Sequence, residues 1–192
     1  MANQMSDFEY IKWILDDSYL CTSPNHLTMI ESKGDDHRPQ IVSIQNSIRA
    51  ISNIALYRFD AEEKGDFLPF FNDKNGSPER LNAFCDYIAL LEHNGSLIIF
   101  LLELKRGGKA GMEDQILASY EFMQYVLKSA DRIKIINKMP DFNIDNVEFR
   151  RILIRKKASN KHITKPKDIK IMDKQSIITC DCDSIIRLHP FI

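Results

Sequence analysis

Three charged side chains in the middle of the chain have the types and spacing that metal-dependent phosphate chemistry uses. Asp86 lies near the start of one apolar run, and Glu103 and Lys105 lie at the end of the next. Asn94 and Gly95 separate the two runs, and Asn-Gly between apolar runs is the strongest short-range signal for a β-hairpin. The sequence therefore predicts two paired strands whose ends carry two carboxylates and an ammonium.

The turn also predicts which residues of this hairpin face each other. If Asn94 and Gly95 are the central residues of a type I′ turn, counting outward pairs Asp86 with Glu103, and a four-residue loop over 93–96 gives the same pairing. Two facing like charges are unfavourable unless something compensates them, and Mg²⁺ prefers carboxylate oxygens as ligands. Strand alternation puts Lys105 on the face of Glu103, where an ammonium can orient a water or stabilise negative charge.

Around these residues the chain resembles the PD-(D/E)XK nuclease superfamily, over about residues 41–157. The resemblance rests on Asp86, the Asn-Gly turn, Glu103 and Lys105, followed by a glycine-containing loop and a helix that contains Gln115. It implies a fold of class α/β (α+β), with a restriction-endonuclease-like core in which a central mixed sheet is flanked by helices in the order αβββαβ.

The same resemblance assigns roles to individual residues. By that resemblance, Asp86 and Glu103 bind Mg²⁺ or Mn²⁺ together with the backbone carbonyl of Leu104, Lys105 assists the attacking water, and Gln115 is an accessory catalytic residue. The expected activity is hydrolysis of phosphodiester bonds in DNA, although the sequence does not distinguish DNA from RNA.

Two departures from the family pattern leave an alternative open. Cys85 stands where the family has Pro, and the first core helix, expected at 41–56, contains no Glu. Gln45 in that helix or Glu31 in the preceding loop could complete the site, or the site could have only two protein carboxylates. The alternative function is a catalytically inactive nucleic-acid-binding or regulatory module of the same fold.

The charge distribution favours an anionic partner more than the total suggests. The 26 Lys+Arg and 27 Asp+Glu give a net charge of -1, but residues 1–100 sum to -7, residues 101–170 to +7 and residues 171–192 to -1. A basic tract can neutralise phosphates, whereas the alternative interpretation is a solvated strand and loop. The candidate nucleic-acid contacts are Arg150, Arg151, Arg155, Lys156 and Lys157. A homodimer or a partner subunit remains open.

The chain length predicts one domain over 1–192, and the resemblance implies a core at about 41–157. Ser6 and Glu9 have capping-box spacing at the start of the first helix. The predicted elements are a helix at 7–20, a loop at 21–40, a helix at 41–56, a short strand and turn-rich loop at 59–80, hairpin strands at 84–92 and 97–105, a helix at 112–128, a strand at Val147–Lys157 and a basic extension at 158–192.

Composition excludes several other classes of protein. With 44% hydrophobic residues, seven Gly and seven Pro, the chain is neither disordered nor collagen-like. Its four cysteines have neither disulfide-framework nor zinc-ligand spacing. The longest apolar run, Leu97–Leu102, is too short for a membrane span, and the N-terminus lacks the features of a secretory signal. The sequence therefore predicts a cytoplasmic protein with no membrane partner.

Overall fold

The computed structural model describes residues 5–21, 27–31, 40–45, 51–59, 84–105, 112–139, 141–156, 175–180 and 184–187. Within these ranges it shows two β-sheets and two α-helices, which confirms an α+β fold class with a mixed sheet. No helix in these ranges combines the length and the apolar character needed to cross a membrane.

The larger sheet has five strands in the order β3-β4-β5-β6-β7. The first three strands form an antiparallel meander, and β6 and β7 continue the sheet in parallel to β5. Its strands are β3 (Ile51–Tyr57), β4 (Tyr87–His93), β5 (Ser96–Lys105), β6 (Glu148–Lys156) and β7 (Gln175–Cys180). The predicted strand at Val147–Lys157 corresponds to β6, and β7 lies within the predicted C-terminal extension.

A smaller, three-stranded sheet has the order β1-β2-β8. Its strands are β1 (Leu27–Glu31), β2 (Gln40–Gln45) and β8 (Ser184–Arg187). β2 pairs in antiparallel with β1 and in parallel with β8. The buried Met29 of β1 packs in the apolar cluster on one face of the larger sheet.

The predicted helix at 41–56 is wrong, and so is the predicted loop around Glu31. The described parts of 41–56 are strands β2 and β3, and Glu31 is the last residue of β1. The isoleucines that suggested a helical stripe are β-branched, and such side chains fit a pleated sheet better than a helix. Pairing of β3 with β4, and of β2 with β1 and β8, therefore outweighs the local helical spacing.

The first helix is shorter than predicted. α1 comprises Asp7–Ile14, and the Ser6 hydroxyl caps it by accepting the Glu9 N–H at 3.3 Å. The chain is extended at Leu15, and a separate 3₁₀ turn then starts at Asp16, whose carboxylate accepts the Ser18 N–H at 2.8 Å. A second capping side chain therefore begins a new turn where the prediction continued the helix.

The second helix, α2 (Met112–Ile133), connects β5 to β6 and is longer than the predicted helix at 112–128. It shares one apolar cluster with α1 and with the β5 residues Leu97, Ile99 and Leu101. The Tyr10 hydroxyl of α1 also donates to the Ala130 carbonyl of α2 at 3.0 Å. Both helices therefore cover the same face of the larger sheet, which we call the helical face.

The hairpin of β4 and β5 has the predicted register. Its pairs run from His93↔Ser96 at the turn to Tyr87↔Leu102. Asn94 and Gly95 both have positive φ, at 51° and 79°, as a type I′ turn requires. β5 is buried on both faces as predicted, because its alternate residues lie in the two apolar clusters on either side of the sheet.

Candidate active site

Asp86 and Glu103 come together at the end of the hairpin, as the register predicts. Asp86 directly precedes β4, and its N–H donates to Glu103 Oε2 at 3.2 Å. In return, the N–H of Leu104 donates to Asp86 Oδ2 at 2.6 Å. Each carboxylate thus accepts a backbone N–H from the opposite strand segment, and this reciprocal bonding holds the two side chains side by side.

Burial makes this pair chemically unusual. Glu103 is 0% exposed, and it follows Ile99 and Leu101 on the helical face of β5, whereas Asp86 is half-buried. Carboxylates are almost never fully buried unless they are paired, because the lost hydration of the charged form is costly. Two like charges at facing strand positions are also unfavourable. A bound cation or a shared proton would relieve both effects.

Leu104 contributes its backbone to the same corner of the site. Its N–H points from β5 toward Asp86, and the N–H and C=O of one strand residue point to the same side of the strand. Its side chain packs in the apolar cluster on the opposite face of the sheet. By this geometry the carbonyl of Leu104 is on the same side of β5 as its N–H, toward the segment that contains Asp86.

The chemistry of these donors fits a hard divalent cation. Two carboxylates and one carbonyl are oxygen ligands of the kind that Mg²⁺ and Mn²⁺ take, with water or substrate oxygens filling the other positions. In the part of the chain that the structure describes, no group of three or more His, Cys, Asp or Glu side chains is placed to hold a metal ion. Asp86, Glu103 and the Leu104 carbonyl are the residues that could hold such a cation.

Gln115 and Ser119 bind α2 to the two residues that precede Asp86. The Gln115 side-chain amide donates to the Phe84 carbonyl at 3.3 Å. The Ser119 hydroxyl accepts the Cys85 N–H at 2.7 Å and donates to the Gln115 carbonyl at 3.0 Å. Gln115 is therefore hydrogen-bonded to the segment that leads into Asp86, and its accessory catalytic role stays a prediction. The sequence predicts Ser119 one helical turn after Gln115 on the same face, but its contact with Cys85 does not follow from that spacing.

Cys85 occupies a fully packed position next to the carboxylates. It is 1% exposed, and its thiol donates to the Tyr87 carbonyl at 3.2 Å. Burial, followed by the charges of Glu103 and Asp86, raises the pKa of this thiol well above its usual range. Cys85 therefore stays protonated at neutral pH, and it has a packing role rather than a nucleophilic one.

The predicted basic contacts on β6 do not share one face. Arg150 binds Glu148, its neighbour two residues away on the same strand, and also donates to the Phe149 carbonyl at 3.1 Å. The Arg151 guanidinium lies over the Tyr120 ring of α2, 5.0 Å from its centre. Alternation along β6 thus places Arg151 on the helical face with Glu103 and places Arg150 on the opposite face.

For the remaining predicted site residues, the structure gives the position of the backbone in a strand. Lys105 ends β5 and is the register partner of Arg155 in β6, one position before Lys156. Lys157 lies outside the described residues. Gln45 is the last residue of β2, in the smaller sheet. The roles predicted for these side chains stay predictions.

Comparisons of the chain with known protein families, with curated proteins and with solved structures found no match.

Proposed function

We propose that this protein is a Mg²⁺- or Mn²⁺-dependent nuclease that hydrolyses phosphodiester bonds in DNA. The observation that carries the proposal is the reciprocally bonded pair of Asp86 and Glu103. A stable fold would gain more from an apolar residue at the position of the fully buried Glu103. Retaining a carboxylate there, beside a second one and a backbone carbonyl, is explained by a cation that both carboxylates bind.

The order of elements supports a restriction-endonuclease-like core. α1 is followed, after β1 and β2, by the meander β3-β4-β5, then by α2 and the parallel strand β6. If β1 and β2 are set aside, the order of these elements is compatible with αβββαβ. We propose that α1 takes the place of the first core helix and that β1 and β2 are additions to the core.

The residues around the pair have separate tasks in this proposal. Asp86, Glu103 and the Leu104 carbonyl would hold the cation, which when bound polarises a phosphate oxygen and lowers the pKa of a coordinated water. Lys105, the next residue of β5 on the helical face by strand alternation, would orient the attacking water. The water oxygen forms a bond to phosphorus and gives up a proton to solvent, while the bond to one ester oxygen breaks and that oxygen takes up a proton from solvent.

Among the basic residues that the structure describes, Arg151 is the one that we propose contacts the phosphate backbone of the nucleic acid. Its register partner is Leu101, two residues before Glu103 on the neighbouring strand. Neighbouring strands lie about 4.8 Å apart and two residues span about 6.6 Å, so the next phosphate along a nucleic-acid strand is within reach. An arginine that already rests on an aromatic ring can bind a phosphate with less loss of side-chain entropy.

Cleavage assays on linear, circular and single-stranded DNA and on RNA test this function. We expect cleavage with Mg²⁺ or Mn²⁺ and none with EDTA. Asp86→Asn, Glu103→Gln and Lys105→Ala should each lower the rate by about 100-fold or more, because each removes several kcal/mol of transition-state stabilisation. Glu121→Gln, at an exposed position of α2, is the matched control and should keep full activity.

The alternative is a nucleic-acid-binding or regulatory module without turnover. It is favoured by the limited set of acidic ligands, since no third acidic side chain joins Asp86 and Glu103 within the described ranges. Nucleic-acid binding that is unchanged by EDTA and by Asp86→Asn, with no cleavage of any substrate, would establish this alternative and contradict the enzyme.

A further inference from the structure

We propose that Ser119 is a positioning residue that fixes the place of Asp86 in the site by holding the backbone of Cys85. This proposal rests on the metal-dependent function above, because its purpose is to preset the carboxylate for a cation. Ser119 itself contacts neither carboxylate in the interactions described, so it acts through the chain segment 84–86.

The hydrogen bonds of Ser119 leave little freedom in its orientation. A serine hydroxyl has one proton to donate, and here that proton goes to the Gln115 carbonyl one turn earlier. The oxygen lone pairs then accept the Cys85 N–H at 2.7 Å. Because Ser119 is 0% exposed, water cannot readily replace it as the acceptor.

Asp86 needs such support because it lies just outside the regular pairing of the hairpin. The described ladder between β4 and β5 ends at Tyr87↔Leu102. Before that point, contacts with side chains of α2 and β5 bind three consecutive residues: Gln115 binds the Phe84 carbonyl, Ser119 the Cys85 N–H and Glu103 the Asp86 N–H. The segment is thus held from α2 on one side and from β5 on the other.

The residue at position 85 makes the Ser119 contact available. Proline has no backbone N–H, so a chain with Pro before the aspartate cannot form this bond. Cys85 supplies the N–H, and its buried side chain occupies the apolar cluster on the helical face. Cys85 and the buried Ser119 of α2 thus supply the donor and the acceptor of one hydrogen bond.

Two readouts test the proposal, and one of them does not depend on the function. The first is amide hydrogen exchange in the metal-free protein, measured at Leu104, whose N–H donates to Asp86. Ser119→Ala should make this amide exchange about 10-fold faster because Asp86 loses its fixed place, while amides in the middle of β5 keep their protection. Ser119→Thr, which keeps the hydroxyl, should restore the protection.

The second readout is the Mg²⁺ concentration that gives half of the full thermal stabilisation. Removing the residues that orient metal ligands typically weakens binding by 10-fold or more, so we expect Ser119→Ala to raise this concentration about 10-fold. Met123→Ala is the control, because Met123 is a fully buried core residue one turn further along α2. It should destabilise the fold without moving the Mg²⁺ midpoint or the exchange of Leu104.

Unchanged Leu104 exchange in Ser119→Ala would overturn the proposal, as would equal changes in Met123→Ala. An unchanged Mg²⁺ midpoint in Ser119→Ala would also overturn it. If the unmodified protein shows no response to Mg²⁺, the nuclease function fails, while the Leu104 exchange still decides whether Ser119 positions Asp86.

Discussion

Among the residues that the structure describes, Glu103 points most directly to a function, because it is a fully buried carboxylate that accepts the N–H of a second acidic residue, Asp86. The sequence was sufficient to predict the pairing with Asp86, since an Asn-Gly turn sets the register of the strands that follow it. It was not sufficient to predict Ser119, because a serine within a helix is common and its contact with Cys85 depends on how α2 docks against the sheet.

Replacing Glu103 with glutamine should separate stability from function. Glu103→Gln keeps the size of the side chain and an oxygen that can accept the Asp86 N–H, but it removes a buried charge. We expect the metal-free variant to be as stable as the unmodified protein, or more stable by about 1–2 kcal/mol. Urea denaturation with EDTA measures this difference.

Added Mg²⁺ should distinguish the two proteins. It should stabilise the unmodified protein through binding to the folded state, and it should have no effect on Glu103→Gln. A metal-free variant that is more than about 2 kcal/mol less stable than the unmodified protein would show that the carboxylate is structural. Glu121→Gln, which changes an exposed charge on α2, is the control and should match the unmodified protein in both conditions.

At the scale of elements, the sequence predicted structure well where local chemistry determines it. The turn at Asn94 and Gly95, the buried strand β5 and the cap at Ser6 follow from residue type and spacing. The segment at 41–56 failed because its isoleucines fit both a helical stripe and paired strands. The deciding contacts come from distant elements, including β8 near the end of the chain.

The turn of the hairpin lies away from the candidate site, so a substitution there should affect stability and not metal binding. Gly95 has a φ of 79°, and a Cβ added there would meet no atom within 4 Å. Gly95→Ala should therefore destabilise the fold through backbone strain alone, by about 1–2 kcal/mol. Urea denaturation measures the loss. Asn94→Gly, at the other positive φ of the turn, should cost less than Gly95→Ala, because glycine adopts this φ without strain and only the contact with the His93 ring is lost.

The Mg²⁺ midpoint of Gly95→Ala should stay unchanged, because the turn lies at the opposite end of the strands from Glu103. A loss of Mg²⁺ binding in this variant would contradict this expectation. It would show that the site depends on the strand register set by the turn, and not only on the local contacts of Asp86.

At the scale of the whole molecule, an almost neutral total conceals opposite charges in different regions. The sequence correctly indicated that residues 101–170 are basic, with a sum of +7. The predicted strand implies that the neighbours Arg150 and Arg151 lie on opposite faces, but it could not show which of them shares a face with Glu103, because that depends on how α2 and β5 pack around β6. Only one of these two arginines therefore shares a face with the candidate site.

This division predicts different effects of two neighbouring substitutions on nucleic-acid binding. Arg151→Ala should weaken DNA binding several-fold and lower the slope of log affinity against log salt by about 1, because one phosphate contact is lost. Arg150→Ala, which removes a side chain bound to Glu148, should change neither quantity. Fluorescence anisotropy over a range of salt concentrations, with EDTA present to prevent cleavage, provides the comparison. Equal effects of the two variants would contradict a DNA path across the helical face.

The central claim is that Asp86 and Glu103 together bind the metal ion of a nuclease. Its most direct test is the rate of DNA cleavage under single-turnover conditions as Mg²⁺ is titrated, measured beside the thermal stabilisation of the same protein. The account predicts that both quantities saturate with one midpoint and that both are lost in Asp86→Asn and in Glu103→Gln. Cleavage that persists in either variant, or a complete absence of cleavage by the unmodified protein, would contradict it.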